Sequence, residues 1–370
     1  MTSTAFKQTC LVSVLALAIV TAISLAFPSV ALAKVTVDDN ELAQGENSVG
    51  GGTATLTETA LNMANVTASS MSVDEDLTVS FDGGNDIGVF DIEGSANVEV
   101  NFTGDNGVED IHAHDSSNVT INANGHNDFE EVEGFENANL TVNVTGENDF
   151  ETIEGHDNAN ITVRGTECQK RDTLNIGDDE SDSGLSAENG NVVIDHVTVN
   201  MESKTAVVGS QSGNVTIDTS KIASEEDNKF TEIIAGGTMK VIESVIEIVG
   251  TIHSDDKMTI EHSDVEADAP DDEYDDGPYR VYSKTGIELV REKNGEVKEG
   301  ELNGEKVWYV DTGDGKDVDL EADGLPGYYA CKDKGVGTGD NTNPWGLAFL
   351  ALASATTAGY AAKRRKDDAA

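Results

Sequence analysis

Carboxylates recur in this chain at one fixed interval. Glu109, Glu130 and Glu151 stand 21 residues apart, as do Asp128 and Asp149, Glu133 and Glu154, and the row Asp115, Glu136 and Asp157. If that interval is one coil of a stack, equivalent side chains lie about 4.8 Å from each other. Two like charges at that distance repel by roughly 0.9 kcal/mol in water and several-fold more at an effective dielectric near 20. Cation binding would relieve them. Oxygen-only ligands in flexible geometry suit Ca²⁺, and Glu109, Asp128, Glu130, Asp149 and Glu151 are the expected ligands. The alternative is a solvated acidic face, screened by salt.

Other chemistries find fewer residues. His112 and His114 alternate on one strand, while His126 and His156 fall in different columns, so spacing alone brings no three together and they read as surface histidines. From 35 to 163 the chain has no Lys or Arg, which removes a basic catalyst from that stretch. Arg164, Lys170 and Arg171, beside Asp178, Asp179 and Glu180, form the one candidate catalytic cluster, and paired carboxylates there could serve glycoside hydrolysis. Such a charge run more often makes a polar loop. There is no phosphate loop, nucleophile elbow or Cys-x-x-Cys pair. Cys10 leaves with the leader; Cys168 and Cys331 either pair in an oxidising exterior or stay as free thiols.

The elements that position these residues follow from the repeat. Four gapless units begin at Leu77, Val98, Val119 and Leu140. Apolar residues at each start and two residues on alternate with polar ones, giving one inward-facing strand per unit. A second apolar pair, from Ile87 and Phe90 to Phe150 and Ile153, lines another wall. Between the two sit Gly83, Gly104, Gly125 and Gly146, where the chain can turn with positive φ. Two asparagine columns, Asn85 to Asn148 and Asn97 to Asn160, predict hydrogen-bonded ladders between coils. No heptad seam persists, which excludes a coiled coil. A leucine-rich-repeat horseshoe loosely fits Phe150 to Asn158, but the extra strand in every unit favours an all-β parallel β-helix, a β-solenoid.

Less regular coils continue from Val192 to a last strand at Met258, with 166–191 expected to leave the solenoid as an insertion. The predicted organisation is a signal peptide at 1–33, a β-solenoid at 34–267 with capping coils before Leu77, an acidic linker at 268–278 and a small β module at 279–331. A stalk at 332–343, a transmembrane helix at 344–362 and a cytoplasmic basic tail at 363–370 complete it. The uncharged run would extend roughly 28 Å as a helix, close to a bilayer core.

That C-terminal end resembles the sorting signals of Gram-positive surface proteins, in which a short Thr-Gly motif precedes a hydrophobic span and a basic tail. Thr338 and Gly339 stand for the Thr-Gly pair, while Gly335, Val336 and Gly337 do not supply the Leu-Pro-x of the usual pentapeptide. The resemblance implies a cell-membrane location on the extracellular face, with wall attachment as a further expectation. The repeat region is similar to β-helix polysaccharide lyases, glycosidases and adhesins. A pectate-lyase-like site would need Ca²⁺ and a basic residue, and the regular coils lack the base.

Net charge is −47, or −48 once the leader with Lys7 is removed. Such a chain repels nucleic acid and attracts cations or basic proteins. The expected function is therefore noncatalytic binding or adhesion at the surface, with an extracellular glycan or basic protein as partner and the membrane as anchor. The alternatives are a surface polysaccharide lyase or glycoside hydrolase, and a structural spacer of the envelope.

Overall fold

A computed structural model describes residues 34–166, 172–177, 182–224, 230–269, 279–313 and 317–329. The repeat folds as predicted into a β-solenoid with two walls of parallel strands. In the regular coils wall one contains Leu77–Asp82, Asn97–Thr103, Asn118–Gly125 and Asn160–Gly165, and wall two contains Asp86–Ile92, Asn106–Ala113 and Asn127–Gly134. Asn139–Gly155 runs through both walls without interruption.

The register equals the sequence repeat. Leu77 pairs with Val98, Val98 with Val119, Val119 with Leu140, and Leu140 with Ile161. A one-residue slip would turn every apolar side chain outward, so burial itself enforces the alignment. Val79, Val100, Ile121, Val142 and Val163 make a column with no solvent exposure. Beside it on wall one Phe81 stacks on Phe102 with centroids 4.8 Å apart, and on wall two Phe129 stacks on Phe150 at 4.5 Å.

Corners are set by conformation. Gly104, Gly125 and Gly146 have φ of 86°, 106° and 88°, and a Cβ at Gly146 would lie 3.1 Å from the Gly125 carbonyl oxygen. On the other turn, non-glycine residues take the left-handed region: Asp115, Glu136 and Asp157 at φ of 61°, 55° and 54°. Both asparagine columns form ladders. Asn85, Asn106, Asn127 and Asn148 are buried and link Nδ2 to Oδ1 at 2.9, 3.4 and 2.8 Å. Asn97, Asn118, Asn139 and Asn160 make the outer ladder, which continues through Asn191 to Asn214. A third, Asn101 to Asn143, runs beside it on wall one.

Residues 166–191 do not leave the stack as a whole. Thr173–Ile176 and Asp182–Ala187 extend wall two in parallel, seating Ile176 over Phe150 and Leu185 over Ile153. Leu174, Ile176 and Leu185 have no exposure, so three apolar anchors hold a coil whose spacing departs from the 21-residue interval.

Nor does pairing stop at 267. Val281–Ser283 and Ile287–Val290 add parallel rungs to both walls, after which an antiparallel hairpin of Glu296–Leu302 with Glu305–Asp311 and the antiparallel strand Val318–Leu320 follow. The opposite end is closed by antiparallel strands too, Val35–Val37 against Thr67–Val73 and Gly52–Leu56 between its two neighbours. Antiparallel pairing and short hairpins occupy the edges that a bare solenoid would expose.

Among the described residues no helix is long and apolar enough to cross a membrane. Asp268, expected to open the linker, is the last residue of the paired strand Asp264–Asp268, and the rest of the linker from 270 on lies outside the described residues, as do the expected signal peptide, stalk, transmembrane helix and basic tail.

Candidate functional site

Outward positions of wall two carry the ionisable groups, because alternate residues of each strand face away from the core. Asp91, His112, Glu133 and Glu154 occupy one column, paired rung to rung. Two residues further along, His114, Phe135 and His156 form a ring stack, with centroids 4.9 and 4.8 Å apart and planes within 18°. The two columns mesh. His112 Nδ1 lies 3.1 Å from Asp91 Oδ1, His114 Nε2 lies 3.6 Å from that same oxygen, and His112 Nε2 lies 3.4 Å from Glu133 Oε2. One coil on, His156 Nε2 is 2.9 Å from Glu133 Oε1 and 4.0 Å from Glu154, with Glu188 at 3.7 Å from its Nδ1.

Spacing had brought no three of these histidines together, and no three meet; instead two of them converge on one carboxylate. Asp91, His112 and His114 each offer a ligand atom, all within 4.8 Å of one another, and so do Glu133, Glu154 and His156. The missed signal was available: His112 and His114 flank the inward Ala113, so they share a face, and Asp91 precedes His112 by one repeat. A depression of about 440 Å³ lies alongside, lined by Asp74, Glu93, Gly94, His114, Asp115 and Glu136.

Charge on this face is partly compensated. Burial disfavours protonated His156, but its hydrogen bond to the Glu133 carboxylate and the fields of Glu133, Glu154 and Glu188 outweigh it, so its pKa is raised. At the left-handed corners, Glu136 accepts the Asp115 N–H at 3.0 Å, Asp115 accepts the Gly94 N–H at 3.2 Å, and Glu188 accepts the Asp157 N–H at 3.1 Å.

The five expected Ca²⁺ ligands stand further back along the same strands. Asp128 pairs in register with Asp149, and Glu109, Asp128 and Glu130 are exposed. Burial and then the fields of Glu109, Asp110, Glu151 and Asp128 raise the Glu130 pKa, so these carboxylates do crowd one another. None of the five belongs to the two groups of converging ligand atoms found among the described residues.

Of the candidate catalytic cluster, Arg164 is paired through Nε with Asp195 at 3.3 Å. Burial tends to raise the Asp195 pKa, yet the His196 hydrogen bond and the Arg164 charge bring it below the usual carboxylate value. Lys170, Arg171, Asp178, Asp179 and Glu180 lie outside the described residues, as do Cys168 and Cys331. On wall one a second open groove of about 440 Å³ follows the outer ladder, with Thr59, Asp76, Thr78, Asn97, Glu99 and Asn118 along it.

Residues 338–369 match the LPXTG cell wall anchor motif. No curated protein and no solved structure matches the chain. The anchor makes this an extracellular surface protein attached to the cell wall. It implies covalent attachment to the wall and not the resident membrane span expected at 344–362, so the anchoring partner is the wall.

Proposed function

We propose that this wall-attached solenoid is a noncatalytic binding and adhesion module, taking an extracellular glycan along its polar flank and holding Ca²⁺ on its acidic wall. The observation that supports the reading is the outer ladder of wall one. Asn118, Asn139 and Asn160 each give one amide proton to the Oδ1 of the preceding rung at 2.9–3.0 Å, and Asn97 gives one to Asp76 Oδ1 at 2.9 Å, so every amide in the row keeps a second N–H outside the ladder bond at a repeat of about 4.8 Å. A row of equally spaced donors beside the open groove suits a polymer of repeating hydroxyls. Ca²⁺ belongs to the other wall, where Glu109, Asp128, Glu130, Asp149 and Glu151 supply oxygen ligands alone.

Glycan-array binding by the full chain, with release of reducing ends and of unsaturated products assayed in parallel, tests the reading. Retention of a glycan without product supports it. Product formation refutes it in favour of a lyase or hydrolase, and the absence of any ligand favours an envelope spacer. Melting in EDTA and in added Ca²⁺ tests the cation separately: an unchanged midpoint removes it.

A further inference from the structure

Asp91, His112 and His114 are arranged differently from the all-oxygen columns, and the difference concerns nitrogen. Two imidazoles from one strand face a single carboxylate oxygen at 3.1 and 3.6 Å. Ligand atoms 2.0–2.1 Å from a tetrahedral zinc ion are separated by about 3.3 Å, so the spacing already lies within reach of a shared ion. Side-chain exposures of 22% for His112 and 34% for His114 and Asp91 leave the group accessible without dispersing it into solvent.

The surroundings orient both rings. With Nδ1 turned to Asp91, His112 presents its Nε2 to Glu133 Oε2 at 3.4 Å, the position from which a carboxylate serves as outer partner of a metal-bound imidazole. His114 is held by its stack on Phe135, at 4.9 Å and 11°. Without an ion, two rings with centroids 6.0 Å apart share one carboxylate. A single divalent ion uses all three donors at once.

We propose that Asp91, His112 and His114 bind one divalent transition-metal ion of the zinc class, with Glu133 as the outer partner of His112 and the fourth coordination position open to water or to a donor from outside the chain. Imidazole ligands select such ions over Ca²⁺ and Mg²⁺. The site shares no ligand with the calcium proposal and stands or falls apart from it. An open position on a wall-attached surface fits metal capture, or bridging to a histidine or carboxylate of a second molecule.

The test uses the full chain stripped with chelator and titrated with ZnCl₂ by calorimetry, and with CoCl₂ by visible absorption. One saturable high-affinity ion is expected, with the intense d–d bands of tetrahedral cobalt. His112→Gln and His114→Gln should each weaken zinc by at least about 100-fold, and Glu133→Gln by about 10–100-fold. His126→Gln, at a side chain 67% exposed and outside the group, should leave it unchanged. Asp91→Asn serves as an independent variant, and melting in chelator checks that each variant is folded. Zinc bound by the wild type no more tightly than Mg²⁺, or an affinity that survives His114→Gln and Asp91→Asn, overturns the proposal.

Discussion

The buried asparagine ladder predicts a stability difference between two chemically identical substitutions. Asn127 has no solvent exposure; its Nδ2 donates to Asn148 Oδ1 at 2.8 Å and its Oδ1 accepts from Asn106 at 3.4 Å. In Asn127→Ala the Asn106 amide keeps the Thr103 and Gly104 carbonyls, each at 3.3 Å, so it is not stranded. Asn148 Oδ1 is, because Asn148 is itself fully buried and water cannot replace the lost donor. A stranded buried acceptor costs about 1–3 kcal/mol, and the space vacated by the amide adds to that. Asn139→Ala removes an equivalent link from the exposed ladder, where water substitutes, and should cost under about 0.5 kcal/mol. Because repeat arrays can lose cooperativity, amide hydrogen exchange within the coils from 106 to 155 is the better readout, with the urea midpoint beside it. Equal losses in the two variants would refute the argument, since burial would then not be what gives the inner ladder its worth. The Asn127→Ala/Asn148→Ala double variant should cost less than the sum of the singles, as it removes the stranded acceptor along with its donor.

Further tests separate backbone, charge and anchor. Gly146→Ala should destabilise by about 1–2 kcal/mol in melting experiments, since its φ of 88° penalises any Cβ and the Gly125 oxygen lies 3.1 Å away; an unchanged midpoint would mean the corner can relax. Glu232 has its pKa lowered chiefly by the 2.8 Å hydrogen bond with His253, so its contribution is present above the ordinary value of 4.5 and lost as pH falls through the folded value. The midpoint gap between wild type and Glu232→Gln should therefore close in acid, and a gap constant with pH contradicts the pairing. Glu130→Gln should stabilise the chain at neutral pH in chelator, because the raised pKa marks an unfavourable charge; a destabilised variant would show that its neighbours do not crowd it. Thr338→Ala should shift the protein from the muramidase-released wall fraction to the medium or membrane, and an undiminished wall fraction would place the linkage elsewhere.

The fold was legible because its columns are exact over four units. Wherever every unit is 21 residues long, the inward positions, the corner glycines and the asparagine ladders follow from alignment alone. Legibility fails where coil length changes. The coil at 173–187 is anchored by Leu174, Ile176 and Leu185, but Ile176 falls 26 residues after its partner Phe150 and Leu185 32 after Ile153, so the 21-residue interval is lost and the residues read as an excursion. Residues 281–290 were obscured in the same way, since the acidic stretch before them resembles a boundary while Val281 and Ile287 still pair onto Ile252 and Met258. The histidine group was missed for another reason. Columns compare like with like, and Asp91, His112 and Glu133 share a column without sharing a residue type.

That mixture of types shows how an acidic solenoid tolerates its own geometry. Stacking makes every conserved-in-register carboxylate a neighbour of the next at about 4.8 Å, and the chain answers differently on each line. At the left-handed corners, backbone N–H groups meet the carboxylates of Asp115, Glu136 and Glu188, so the charge is spent on holding the turn. Across the next two lines imidazoles interleave with carboxylates, from Asp91 through His112 to Glu133 in one column and on to His156 in the neighbouring one. Along Glu109, Glu130 and Glu151 neither device is present, and the Glu130 pKa is raised first by burial and then by the fields of Glu109, Asp110, Glu151 and Asp128. Residual strain of this kind is where an external cation gains most, which makes that line the place for a hard, oxygen-seeking ion and the imidazole line the place for a softer one. The two metals should therefore protect different lines across the strands: Ca²⁺ should slow hydrogen exchange around 109, 128–130 and 149–151, and Zn²⁺ around 91 and 112–114.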